Sequence, residues 1–274
     1  MLNRRTVIAA LPLLLSAHAL PALAQSAQRP APKPAANPAS NPASAPAPSY
    51  AVVVGDSIAE GEIQRKGRLN VQGRFVPDFP SSPGQLSYEL AMYSGVFHFN
   101  HGIGGETSSQ VRARWRRDVL AESYDPADGR GPRTLPAGSL PSLVYLHVGI
   151  NDVAAAHLSL QTMQDNFSYF AQTLAAKRIT FVVDNIGAYL GMDAPMIAQT
   201  RAFNDWLLKT LAPRYPNMRV VDYLDWSSGG TRDYRVLAPG KFADGVHPSA
   251  VGYTDFARYI HETLKLPANS VVHY

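Results

Sequence analysis

The 274-residue chain contains no cysteine. A disulfide framework, a thiolate-bound zinc or iron–sulfur centre and a thiol nucleophile are therefore all excluded. Long hydrophobic runs are scarce as well. The apolar stretch Val7–Leu15 covers nine residues, too few to cross a bilayer core of about 30 Å at about 1.5 Å per residue. Acidic residues are missing from positions 1–49, which hold Arg4, Arg5, Arg29 and Lys33. Of 25 basic and 21 acidic side chains, positions 50–274 thus keep 25 − 4 = 21 basic against 21 acidic, a formal net of zero. The chain's +4 charge belongs to its N-terminal segment, so it gives no reason to expect a nucleic-acid partner for the rest.

That segment has the layout of an export signal. Arg4 and Arg5 precede the apolar stretch, and Ala22-Leu23-Ala24 supplies a small-x-small cleavage pattern. A signal peptide over 1–24 is expected, with a mature start near Gln25. The paired arginines suit a twin-arginine signal and equally an ordinary basic n-region. The expectation is an exported bacterial protein, periplasmic or secreted, with no integral membrane span in its mature form. An uncleaved N-terminal anchor is the competing reading. Positions 25–49 form a Pro/Ala-rich linker: seven Pro and eight Ala stand among residues 26–49, with nothing large and apolar. Such a stretch buries too little surface to offset its ordering entropy. One domain over 50–274 remains, large enough for a real core.

Within it, short apolar runs alternate with helical patterns. Strands are expected at Tyr50–Val54, Val96–Asn100, Ser142–Val148, Ile179–Asp184 and Arg219–Asp222. Helices are expected at Leu86–Tyr93, Ser108–Leu120, Ser159–Lys177, Met196–Leu211 and Ser249–Leu264, with an irregular insertion over 125–141. Continuous β-branched runs such as Tyr50–Val54 suit strands buried on both faces. The fold class is α/β: a three-layer α/β/α sandwich around a mostly parallel, flavodoxin-like five-stranded sheet. In such sheets ligands bind at the carboxyl ends of the strands.

Those ends carry the chemistry. The first strand runs into Gly55-Asp56-Ser57, the second into a segment ending Gly104-Gly105-Glu106-Thr107-Ser108, and the third into Gly149-Ile150-Asn151-Asp152. Near the C-terminus stands Asp244-Gly245-Val246-His247. A serine hydroxyl needs a base to take its proton as it attacks. His247 fits that role, and Asp244 could hold its ring in the right tautomer. Donors for a developing oxyanion are available in the amides of Gly105 and Ser57 and in the side chain of Asn151. Other plans fit badly. A chymotrypsin-like order needs a His before the Ser, and only His18 precedes Ser57. The Gly-x-Ser-x-Gly elbow, His-Glu-x-x-His and a Walker-A loop are absent, and Thr107 stands where a dinucleotide fingerprint needs its third Gly.

Gly55-Asp56-Ser57, Gly105, Gly149-x-Asn151-Asp152 and Asp244-x-x-His247 together resemble the four blocks of the SGNH (GDSL-type) serine hydrolases, in that family's order and across essentially all of 50–274. The resemblance implies Ser57 as nucleophile, His247 and Asp244 as the rest of the triad, and Ser57, Gly105 and Asn151 as the oxyanion hole. It also implies an esterase, lipase, thioesterase or carbohydrate acetylesterase that needs no metal and no cofactor. The stretches between Ser57 and Gly104 and over 121–141 are longer or more irregular than a minimal member needs, so substrate specificity does not carry over.

Asp56 and Asp152 are expected to support the site through hydrogen bonds, and His101 and His147 to be local structure. Arg112, Arg114, Arg116 and Arg117 around Trp115 suggest a solvated basic face. Trp206 is assigned to the core, and Tyr189 and Trp226, in loops after strands, are candidates to stack on substrate. The expected reaction is ester hydrolysis through an acyl-enzyme on Ser57. The expected partner is a small acyl ester or acetylated glycan, with transfer to a sugar hydroxyl as a variant. A lipolytic or thioester acylhydrolase, and a non-catalytic glycan-binding accessory protein, are the alternatives.

Overall fold

The structure, a computed structural model, describes residues 50–61, 67–69, 75–77, 82–122 and 140–265. The expected signal peptide and linker, and the irregular stretch up to position 139, lie outside the described residues. Strands β1 (Tyr50–Gly55), β4 (Phe97–Gly102), β5 (Leu143–His147), β6 (Thr180–Asp184) and β7 (Met218–Val221) form one parallel sheet in the order β4-β1-β5-β6-β7. Among sheet strands alone this is second-first-third-fourth-fifth, the flavodoxin-like order expected, with its switch point between β1 and β5.

Helices cover both faces, which is why the strands read as near-continuous apolar runs. Val52, Val54, Val144, Leu146, Phe181 and Val183 pack on one side against Val111 and Trp115 of α3 (Ser108–Asp118), Phe167 and Phe170 of α5 (Leu160–Ala176) and Phe203 of α6 (Ala194–Trp206). Val53, Tyr145, Val182 and Val221 face the other way. They meet Ile58 of α1 (Ser57–Glu60), Leu86 and Leu90 of α2 (Leu86–Ser94) and Tyr253, Phe256 and Ile260 of α8 (Ala250–Leu264).

Three departures from the sequence expectation stand out. The helix expected over Met196–Leu211 is α-helical only to Trp206, then widens into a π turn over Leu207–Leu211 and closes in a 3-10 turn holding Pro213, which has no N–H to continue the ladder. Short helices α4 (Ile150–Ala154) and α7 (Tyr223–Ser227) follow β5 and β7 directly. A two-stranded antiparallel ribbon, β2 (Gly67–Leu69) with β3 (Phe75–Pro77), lies in the long stretch after Ser57. Among the described residues no helix is long and apolar enough to cross a membrane.

Candidate active site

Ser57 is the first residue of α1, immediately after β1, and helix-terminal amides of this kind have no partner inside the helix. The turn that presents it is tight. The Asp56 amide donates to the His147 carbonyl at 3.0 Å. Gly55 sits at φ 146°, and a Cβ there would stand 1.8 Å from that same carbonyl oxygen, so only glycine fits. Asp56, fully buried, caps α1 by accepting from the Ile58 amide at 3.0 Å.

Four sequence-distant stretches meet here. His247 Nε2 lies 2.9 Å from Ser57 Oγ, and its Nδ1–H donates to Asp244 Oδ2 at 2.9 Å. Asp244 Oδ1 accepts from the amides of Val246 and His247 at 2.8 and 2.7 Å. Burial works to raise Asp244, but the His247 amide, the His247 ring and the Val246 amide outweigh it and hold the carboxyl below its ordinary value. An acceptor-only carboxylate fixes the proton on Nδ1, so Nε2 is free to accept from the Ser57 hydroxyl. Ser249 then caps α8, anchoring the loop just past His247.

On the side of β4, Gly105 is exposed at φ +76° with open space where a Cβ would stand. Asn151 Nδ2 donates to the Glu106 carbonyl at 3.1 Å, which ties the β5 turn to the Gly105 turn and uses one of its two N–H groups. Glu60 braces the same turn, accepting from the Gly104 amide at 2.6 Å. Asp152, buried beside them, accepts from the Ser108 amide at the start of α3 at 2.7 Å. Burial, opposed by the Ser108 hydroxyl and amide and reinforced by Asp56, pushes Asp152 up to about 6.

Some expectations need correcting. Trp226 is a buried core residue in a mutually contacting trio with Tyr223 and Phe256, and its Nε1 donates to Asp255 at 3.0 Å, so its ring is not exposed to stack on a substrate. Tyr189 is half-buried beside the His247 loop, where the neighbouring Leu190 amide donates to the Gly245 carbonyl at 3.1 Å. Arg114 does not belong to a solvated face. Its guanidinium is buried and binds Glu106 at 2.7 Å, Asp118 at 2.9 Å and the Gly55 carbonyl at 3.1 Å. The i, i+4 acid Asp118, on the helical face shared with Val111, is the signal that could have found it.

Sequence reasoning also passed over a second Asp–His pair. His147 Nδ1 and Asp184 Oδ2 are hydrogen-bonded across adjacent strands, and the Tyr145 hydroxyl donates to Asp184 Oδ1. A cleft with about 290 Å³ of empty space, its open mouth included, lies above the pair. Ile58, Ile150, Ile186 and Val246 form its apolar walls, and His147 and Tyr223 are among its polar lining. Ile58 and Val246 are the chain neighbours of Ser57 and His247, so the cleft adjoins the hydroxyl–imidazole pair.

The family model of GDSL-like lipases and acylhydrolases matches residues 53–254. The chain belongs to the GDSL-like lipase/acylhydrolase family. It is an ester-bond hydrolase. Solved structures share the fold at low identity. A proposed lipolytic G-D-S-L protein from Desulfitobacterium hafniense DCB-2 is 19% identical at TM-score 0.56, over 78% of this chain and 98% of that one. Axe2, an acetylxylan esterase from Geobacillus stearothermophilus, is 19% identical at TM-score 0.55, over 81% and 96%. The acetyl xylan esterase AlAXEase is 16% identical at TM-score 0.54, over 78% and 99%. The comparison with curated proteins gives no match.

Proposed function

We propose that this GDSL-family hydrolase is an exported serine esterase that removes small acyl groups, acetyl above all, from a carbohydrate. Ser57 Oγ attacks the ester carbonyl while His247 Nε2 takes its proton, and Asp244 orients the ring and stabilises its charged form. The oxyanion is met by the Ser57 and Gly105 amides and by the remaining N–H of Asn151. His247 then hands the proton to the departing alcohol, leaving the acyl group on Ser57. Water, deprotonated by His247, attacks the acyl-enzyme and releases the acid. Asp56 and Asp152 hold the two turns that carry these groups.

The observation that carries this reading is the continuous chain Ser57 Oγ–His247–Asp244, with both contacts at 2.9 Å. Two structurally similar proteins are acetylxylan esterases, which supports a small acyl group. Export rests on the signal-like segment 1–24 and the Pro/Ala linker 25–49 ahead of the domain at 50–274. Intact-mass analysis after treatment with a fluorophosphonate tests the nucleophile: one adduct, on Ser57, is expected. Turnover of acetyl, octanoyl and palmitoyl esters tests the acyl preference. A preference for palmitoyl would replace this reading with a lipolytic one.

A further inference from the structure

The Asp184–His147 pair has no part in the reaction as written, yet it lies directly beneath the nucleophile turn. His147 is joined to Asp56 through the backbone, its carbonyl accepting the Asp56 amide at 3.0 Å. Asp56 Oδ1 caps α1 through the Ile58 amide, while its Oδ2 has no hydrogen-bond partner among the described residues. A fully buried carboxylate with one oxygen unmatched needs a compensating positive charge to remain ionised. Burial raises the Asp56 carboxyl, and the His147 ring leads the groups that oppose it, ahead of the Ile58 amide, the His247 ring and the Ala59 amide. Asp184, hydrogen-bonded to the His147 ring, is placed to keep that imidazole charged. We propose that His147 is a positioning residue for ester hydrolysis: as an imidazolium held by Asp184, it keeps Asp56 a carboxylate, and the ionised Asp56 fixes the α1 turn that aims Ser57 at His247.

Among the described residues, few titratable groups surround this cluster. Asp184 faces His147 from β6 and Tyr145 joins it from β5. Tyr223 of α7 stands edge-on to the His147 ring at 4.7 Å. Asp56 is raised by burial against the pull of His147 and His247, and it raises Asp152 in turn. Burial would discharge His147, and Asp184 and Asp56 reverse that, so the two carboxylates and the imidazole act together. Tyr223 and Tyr253 bring hydroxyls but no positive charge.

The proposal rests on Ser57 being the nucleophile, and the experiment separates the two. Nitrogen NMR of wild-type protein with labelled histidine should show a charged His147 ring at pH 7. A neutral ring at that pH overturns the proposal, whatever any variant does. His147→Gln should slow Ser57 labelling by a fluorophosphonate and lower kcat by ~10-fold, with KM nearly unchanged. In an Asp56→Asn background the same substitution should change kcat by less than about two-fold, because the charge it protects is gone. Multiplicative losses in the double variant, or wild-type labelling by His147→Gln, overturn the positioning role alone. Labelling at a residue other than Ser57 overturns the nucleophile assignment instead. If His147→Gln does not fold, Asp184→Asn is read in the same way, and the wild-type NMR result still decides.

Discussion

Ser57 Oγ and His247 Nε2 lie 2.9 Å apart although 190 positions separate them in the chain. The sheet closes that distance: β1 delivers the serine to the carboxyl edge beside the β1–β5 switch point, and the loop ahead of α8 returns over the same edge. Ser57→Ala removes only the oxygen. The expected loss of turnover is ~10⁴-fold or more, with an unchanged circular dichroism spectrum and melting temperature. Turnover within ten-fold of wild type would remove serine catalysis from consideration.

In the proposed reaction Asp244 acts only through His247. In Asp244→Asn the side-chain amide can donate where the carboxylate only accepted, so the imidazole is driven toward the wrong tautomer. The expected fall in kcat is ~10²–10⁴-fold, with KM little changed. Asp244 is held below its ordinary value, so its help to the folded state is complete above the unfolded value and fades as pH falls through the folded one. The stability gap between wild type and Asp244→Asn should therefore narrow on acidification, as denaturant titrations at pH 7 and pH 3 would record.

In the proposed reaction Asn151 and Gly105 stabilise charge that exists only in the transition state. Removing one such donor typically costs ~10²–10³ in kcat, and that is the expectation for Asn151→Ala. Its signature is equal loss in kcat and kcat/KM. A rise in KM at constant kcat would make Asn151 a substrate-binding group instead. Gly105→Ala should act through the backbone, since φ +76° disfavours any residue with a Cβ by about 1–2 kcal/mol.

Arg114 shows what a buried cation does for the site. It binds the carboxylates of Glu106 and Asp118 and the carbonyl at the end of β1, joining the Gly105 turn to the strand that carries Ser57. Arg114→Met leaves two largely buried carboxylates without it. Breaking such a cluster typically costs about 3–5 kcal/mol, to be read from urea unfolding. A change below about 1 kcal/mol would mean that Arg117, which also pairs with Asp118, carries the load.

The layers and the strand order were legible because the sheet is covered on both faces. Each strand then declares itself as an apolar run, and strand–helix alternation leaves few topologies. Three of the four chemical blocks were legible because they sit at strand ends; the fourth, Asp244-x-x-His247, stands in the loop ahead of α8 and was legible from its residue types and order. Partnerships were not. Arg114 looks like its exposed neighbours Arg112 and Arg116 until its acids are located. Trp226 follows a strand, yet it lies on the buried face of a five-residue helix that composition does not announce. His147 and Asp184 become neighbours only once β5 and β6 are known to be adjacent.

Asp152 offers a test of the site's interior that needs no substrate. Burial is the main cause that lifts it to about 6 from an ordinary 3.8. An acid raised on folding favours the native state fully below its unfolded value, and that contribution is lost as pH rises through the folded value. A gap of roughly two pH units corresponds to about 3 kcal/mol. Asp152→Asn keeps an acceptor for the Ser108 amide but cannot ionise. Relative to wild type, the variant should gain stability between pH 3.5 and 7.5 by an amount of that order, measured by chemical denaturation at both values. A constant difference across that range would mean that Asp152 is ionised in the native protein, with its charge already compensated.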